Sequence, residues 1–241
     1  MSQVMRVWLR AGVCRALGMA AVAALLLGSP AFAADKTGSG AASGAKVAIP
    51  LELPSQSFSS TPLNYDHKDL DKPDFKERPP FLAPKGVVDI SKGKPVTSSA
   101  PPVTGKLAMV TDGDKNYAAK SIVTLPAGTQ WVQVDLGSVN DIYAIVVWHY
   151  HEAQRVYFDV IAQVSDDPEF KKDVTTVFNN DDDNSSGMGV GKDHEYVETY
   201  EGRLIDTKGI KGRYVRMYSK GNTSDDLNHY IEVEVFGKPA S

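Results

Sequence analysis

The chain has 241 residues, 42% of them hydrophobic, with 26 basic and 30 acidic side chains for a net charge of −4. This length allows one large or two small domains. The acidic balance argues against non-specific nucleic-acid binding, which relies on clustered Lys and Arg, and suits cations or neutral ligands. The one cysteine, Cys14, lies near the N-terminus.

The first 33 residues are not expected to belong to the fold. Arg6, Arg10 and Arg15 make a positive start, Leu17 to Leu27 is an apolar run too short to span a bilayer, and Ala31-Phe-Ala33 is a small-x-small cleavage site. This pattern predicts a signal peptide over 1–33 and export to a periplasm or the cell exterior, with no transmembrane segment in the mature chain. Cleavage removes Cys14, which leaves no disulfide, thiolate metal site or cysteine nucleophile. It also removes three basic and no acidic residues, so the net charge moves from −4 to −7.

Residues 34–85 are read as a flexible tether followed by a proline-rich arm. Ala34 to about Ala45 is Gly, Ala and Ser. Pro50, Pro54, Pro62, Pro73, Pro79, Pro80 and Pro84 then break helices and central strands alike. The arm is either docked on the domain through Leu51, Leu53, Phe58, Phe75 and Phe81 or a plain linker.

From Gly86 to Lys238 the texture is that of a domain. Val87–Ile90 and Pro95–Ser99 are predicted as short strands. Trp131 to Gly137 alternates, with Val132, Val134 and Leu136 on one side, which is the period of a half-buried strand. A second strand from Asp141 is more apolar and ends in Trp148-His-Tyr-His-Glu152. Further strands are predicted over Tyr157–Val164, Val174–Phe178, Glu198–Asp206, Arg213–Tyr218 and Tyr230–Phe236. The sequence after Gly86 contains no convincing amphipathic helix, so the predicted class is all-β, an antiparallel sandwich.

Six motifs occur in order: Lys94-Pro-Val-Thr-Ser-Ser99, Thr111-Asp-Gly-Asp114, Trp131-Val-Gln-Val-Asp-Leu-Gly137, Gln163-Val-Ser-Asp-Asp-Pro168, Arg213-Tyr-Val-Arg216 and Glu232-Val-Glu-Val-Phe-Gly237. Together they resemble the discoidin, or coagulation factor 5/8 type C, family over roughly 86–238. The resemblance implies a galactose-binding-like jelly roll and, from its many carbohydrate-binding members, recognition of a carbohydrate or cell-surface glycan without catalysis. It also implies a structural calcium at Asp112 and Asp114, completed by Glu232, with Glu234 as the fallback ligand. Calcium needs several oxygen ligands, which a Gly-containing turn lets converge; an ordinary Asp-Gly turn is the alternative. The family's ligand loops correspond to 149–155, after the strand ending at Trp148, and to 219–229. The candidate ligand-binding residues are Trp148, Tyr150, His151, Arg155, Asn222 and His229. Histidines stand where the family commonly has an Arg, so galactose specificity does not carry over.

Other readings of the same residues stay open. His149 and His151, two apart, have the spacing of a transition-metal pair or of edge histidines with a structural role. The loop 179–193 is neither a phosphate loop nor an EF-hand, since the required Gly, Ser/Thr and terminal Glu positions fail. It reads as an acidic surface loop or a second calcium loop. The second functional class is a structural or adhesion protein that holds a protein partner through the same loops or the arm.

Overall fold

The computed structural model describes residues 45–56, 64–71, 74 and 76–240, all within one compact unit, Ser43–Ser241. The predicted signal peptide, nearly all of the tether, and Phe58 and Phe75 lie outside these residues.

The strands, in chain order, are β1 Lys46–Ala48, β2 Leu70–Asp71, β3 Leu82–Pro84, β4 Val88–Asp89, β5 Val96–Ser98, β6 Val123–Leu125, β7 Gln130–Trp148, β8 Ile161–Ser165, β9 Thr175–Asn179, β10 Glu195–Tyr196, β11 Arg203–Ser219, β12 Asn228–Tyr230 and β13 Glu232–Pro239. Two short 3₁₀ turns, Leu107–Thr111 and Ala119–Ser121, are the only helical elements among the described residues. The main sheet runs β4-β13-β7-β11-β8-β9, with β5 also on β7, and all of its pairings are antiparallel. The predicted all-β sandwich is therefore the observed class.

The two strands expected on either side of Gly137 are one continuous strand, β7. Gly137 has φ +86°, a left-handed conformation that suits glycine, and its N–H donates to Asp135 Oδ1 at 2.8 Å. Pairing with β11 jumps there from Asp135↔Tyr214 to Asn140↔Gly212, so the extra residues form a bulge that bends the strand without ending it. The predicted strands at 198–206 and 213–218 likewise fuse into β11, across a second irregularity between Asp206 and Ile210.

The bend explains the sequence pattern. Before it, Val132, Val134 and Leu136 enter the core with Val215, Met217 and Val164, and the strand alternates. After it, both faces of β7 are covered. Ile142, Ile145 and Val147 face that same core, while Ala144, Val146 and Trp148 pack with Ile231 and Phe236 in a second cluster. The lid on this second cluster comes from the arm. Ile49 and Ala83 are buried in it beside Val87 of the domain, and Leu51 and Phe81 pack against it. A strand buried on both faces is apolar throughout, as Ile142 to Trp148 is.

The arm is thus docked over its described parts. Leu70 of β2 sits with Val156 and Val197, the Tyr65 hydroxyl donates to Glu195, and Arg78 donates to the carbonyls of Glu201 and Gly202 at 2.9 Å. Leu53, by contrast, is exposed. A chain beginning at Gly86 is expected to unfold at a lower temperature than one beginning at Ser43, or to aggregate. Each large side chain returned to water costs roughly 1.5–3 kcal/mol. Equal melting temperatures for the two chains would show that the docked arm contributes no stability.

Candidate functional site

The strand β7 delivers a run of alternating side chains to one end of the sandwich. Trp148 is fully buried; its Nε1 donates to the Tyr200 carbonyl at 2.9 Å, and Gly202 lies so close that a Cβ there would stand 2.7 Å from the ring. His149 is fully buried too, with Nδ1 2.5 Å from Glu198 Oε1 and its ring stacked on Tyr157 at 4.4 Å. His151 is buried, with Nε2 2.9 Å from the Lys115 carbonyl and its ring meeting Tyr117 edge-on at 5.7 Å. The two histidines therefore serve different partners. They do not form a metal pair, and neither belongs to the groups of metal-type ligand atoms that converge among the described residues, which are His67/Asp69/Asp182 and Asp159/Asp181/Asp183.

Between these buried residues Tyr150 turns outward into a cleft of about 520 Å³. The cleft is lined by Thr104, Tyr117, Ala118, Ile122, Thr124, Tyr150, Glu152, Arg155 and His229, the last paired with Thr124 across β12 and β6. The guanidinium of Arg155 lies 4.7 Å over the Tyr150 ring, and its Nη1 donates to Asp225 Oδ2 at 3.0 Å. Asn222 is buried behind this pair. Its Nδ2 donates to Asp225 Oδ1 and to the Leu227 carbonyl, and its Oδ1 accepts the Ser224 N–H, so it shapes the 219–229 loop. Buried Asn228 pins the end of that loop by donating to the carbonyls of Pro126 and Gly128.

Of the six predicted ligand residues, the structure brings Tyr150, Arg155 and His229 to the cleft wall and places Asn222 behind it. Trp148 and His151 offer no surface to a ligand. Trp148 is sealed by Gly202 and the second apolar cluster, and His151 is turned in to the Lys115 carbonyl. Sequence reasoning missed Tyr117, Glu152 and the wall from 104 to 124. The signal for Tyr117 was its place three residues beyond the Asp-Gly-Asp turn, which that reading assigned to an ion alone.

The protonation of His229 follows from its neighbours. Nδ1 lies 2.9 Å from the Tyr157 hydroxyl and 3.4 Å from Arg155 Nη1. A guanidinium only donates, and burial pushes the Tyr157 phenol far up, so Nδ1 is the acceptor and Nε2 carries the proton. Burial lowers His229 to about 4, against the opposing pull of Asp225. The imidazole is therefore neutral near pH 7 and a hydrogen-bond donor through Nε2–H.

The turn at 112–114 meets the last strand through Gly113 and Glu232. Both oxygens of Glu232 accept the Gly113 N–H, at 3.1 and 3.2 Å. Glu232 is completely buried, and burial, with Glu234 and Asp112 nearby, pushes its carboxyl up to about 9. Asp112 Oδ1 accepts the Asp114 N–H at 2.8 Å, and Asp114 Oδ2 accepts the Ser121 hydroxyl at 2.7 Å. Glu234, the fallback ligand, is held by Lys115 Nζ at 2.5 Å. Asp112, Asp114 and Glu232 thus each accept hydrogen bonds within the turn, and they are not among the groups of ligand atoms that converge among the described residues.

Residues 109–217 match the F5/F8 type C family model described as a NedA-like, galactose-binding domain. No curated protein matches the chain. Similar solved structures include a family 89 glycoside hydrolase from Clostridium perfringens, at 19% identity and a TM-score of 0.48 over 64% of this chain. That match covers only 15% of the hydrolase chain. Others are the CBM32 of AlyQ in complex with 4,5-unsaturated mannuronic acid, at 23% identity, TM-score 0.41 and 59% and 93% coverage of this chain and that one, and a Streptococcus pneumoniae fucose binding module, at 18%, 0.43 and 61% and 96%. Over residues 109–217 the chain is thus similar to the F5/F8 type C, galactose-binding family.

His229 gives a direct pH test. Its value is about 4 when folded and 6.5 in a model peptide, so between these the unfolded chain binds more protons and stability rises with pH. Acidification through this window is expected to destabilise the protein more than its His229→Gln variant, as read by denaturant melts at each pH. Parallel profiles for the two proteins would contradict a neutral, half-buried imidazole.

Proposed function

We propose that this chain is an exported, non-catalytic glycan-binding protein whose ligand lies in the cleft between Tyr117 and Arg155. The single observation that carries the reading is the cleft's make-up. Sugars present apolar ring faces and many hydroxyls, so they need aromatic surface beside a few oriented polar groups. Tyr117 and Tyr150 supply the first; Arg155, the Nε2–H of His229 and the Thr104 and Thr124 hydroxyls supply the second. Glu152 is the one carboxylate among the lining residues. A glycosidase uses two carboxyl groups facing each other across the bond, so the lining favours binding. The leader-like residues 1–33 support export.

Calcium is proposed at the 112–114 turn, with Glu232 as its buried carboxylate ligand and turn carbonyls completing the oxygen set. The support is the buried acid itself: a carboxyl raised to about 9 gains from a cation that stabilises its charged form. The same segment continues to Tyr117, and His151 meets its Lys115 carbonyl, so calcium would also firm one wall of the cleft.

A glycan array followed by calorimetry tests the function. Tyr117→Ala is expected to weaken binding by about two- to tenfold, the worth of one aromatic contact. Arg155→Ala is expected to weaken it and also to lower the melting temperature, because the guanidinium braces the wall against Asp225 and Tyr150. The absence of any glycan binding, with a protein retained in pull-down, would overturn the reading. For the metal, calcium should raise the melting temperature of the wild type and not that of Glu232→Gln, and the two should melt alike in chelator. An equal calcium response in both removes Glu232 from the site.

A further inference from the structure

We propose that the cleft selects glycans bearing a protonated amine, and that Glu152 is the residue that reads it; this rests on the glycan-binding reading above. The inference comes from the charges that remain uncompensated around the ligand space. Apart from its tyrosines, the cleft is lined by three ionisable side chains, Glu152, Arg155 and His229.

The charge of Arg155 is already matched, although its guanidinium keeps N–H groups beyond Nη1. Its Nη1 is paired with Asp225 Oδ2 at 3.0 Å, its guanidinium lies over Tyr150 at 4.7 Å, and only 16% of its side chain is exposed. It acts as a strut of the wall, with its charge matched from behind by a carboxylate. His229 accepts at Nδ1 and carries no charge at neutral pH, because burial holds its value low.

Glu152 is different. It is exposed at the mouth of the cleft, and among the described residues it has no ion-pair partner. The Tyr150 hydroxyl donates to its Oε2, which orients the carboxylate and leaves Oε1 for a ligand. That bond, after burial, is the main cause that raises the Tyr150 phenol, as expected beside a charged carboxylate. The tyrosine rings add weakly to the same preference, since aromatic faces attract cations.

The cleft therefore presents one net negative charge and no free cation. A uronic acid or sulfated sugar would meet Glu152 with nothing to neutralise it. An ammonium on the sugar ring would meet an oriented acceptor beside apolar surface. The pair would be exposed, so its contribution is modest and salt-sensitive.

The test uses the full chain and three sets of oligosaccharides of equal length: glucosamine or galactosamine oligomers, their N-acetylated forms, and uronic-acid oligomers. Titrations are run at low and high salt in mildly acidic buffer, where amino sugars are charged. The free-amine oligomers are expected to bind about two- to five-fold tighter than the N-acetylated ones at low salt. The preference should vanish at high salt and in Glu152→Gln, whose side chain is exposed and whose melting temperature should not change. The glucosamine and galactosamine arms tell which ring stereochemistry carries the amine. Equal or tighter binding of the N-acetylated or uronic-acid oligomers overturns the amine preference and leaves glycan binding intact. Failure of every glycan on a broad array to bind overturns both.

Discussion

The antiparallel pairing of β7 with β11 is the constraint on which the rest of this structure depends. It runs from Gln130↔Ser219 to Val147↔Arg203 and bends at two bulges. The bend lets one strand pair serve two environments. On one side of Gly137 the strand alternates and is half covered; on the other it is buried on both faces. The faces are exchanged at the second irregularity: Ile142 keeps the face of Leu136, and after the register shifts opposite Asp206/Ile210 and Phe236/Gly237 that face passes to Ile145 and Val147. Without that shift the second cluster would lose Ala144, Val146 and Trp148, because strand side chains alternate with a period of two, and the arm would have nothing apolar to cover.

The same strand sets the candidate site. It ends at Trp148, and the four following residues keep an in-and-out pattern, with His149 and His151 inward and Tyr150 and Glu152 outward. The inward residues tie the site to its supports. His149 reaches Glu198, and His151 reaches the backbone just after the Asp-Gly-Asp turn. The segment from Gly113 to Ala118 is in turn held by Glu232, by Glu234 through Lys115, and by His151, before it contributes Tyr117 to the cleft. A cation at the turn and a ligand in the cleft would therefore act on one short stretch of chain.

Much of the fold was legible in the sequence, because strand periodicity is local. Val132, Val134 and Leu136 showed their face directly, and the six ordered motifs showed the family resemblance. What failed was non-local. Gly137 looked like a turn between two strands because nothing nearby tells that β11 continues alongside; its positive φ makes a bulge instead. The end of β7 looked like an exposed cluster because Trp148, His149 and His151 are covered by residues more than thirty positions away: Gly202, Glu198 and Lys115. The docking of the arm was open in the sequence, since Ile49 and Phe81 lack any period that distinguishes a strap from a linker. Tyr117 and Glu152 went unnoticed for the converse reason, since only the fold brings them to one cleft.

The central claim is that a glycan occupies the cleft walled by Tyr117, Tyr150, Arg155 and His229. The most direct measurement is chemical-shift mapping of the labelled protein as it is titrated with an oligosaccharide that it binds. The account predicts that the largest shifts fall on Thr104, Tyr117, Tyr150, Glu152, Arg155 and His229, with small changes elsewhere. Shifts concentrated on the acidic loop 179–193, or on the exposed residues Val47 and Leu82 of the arm and Val88 of β4, with a silent cleft, would contradict it.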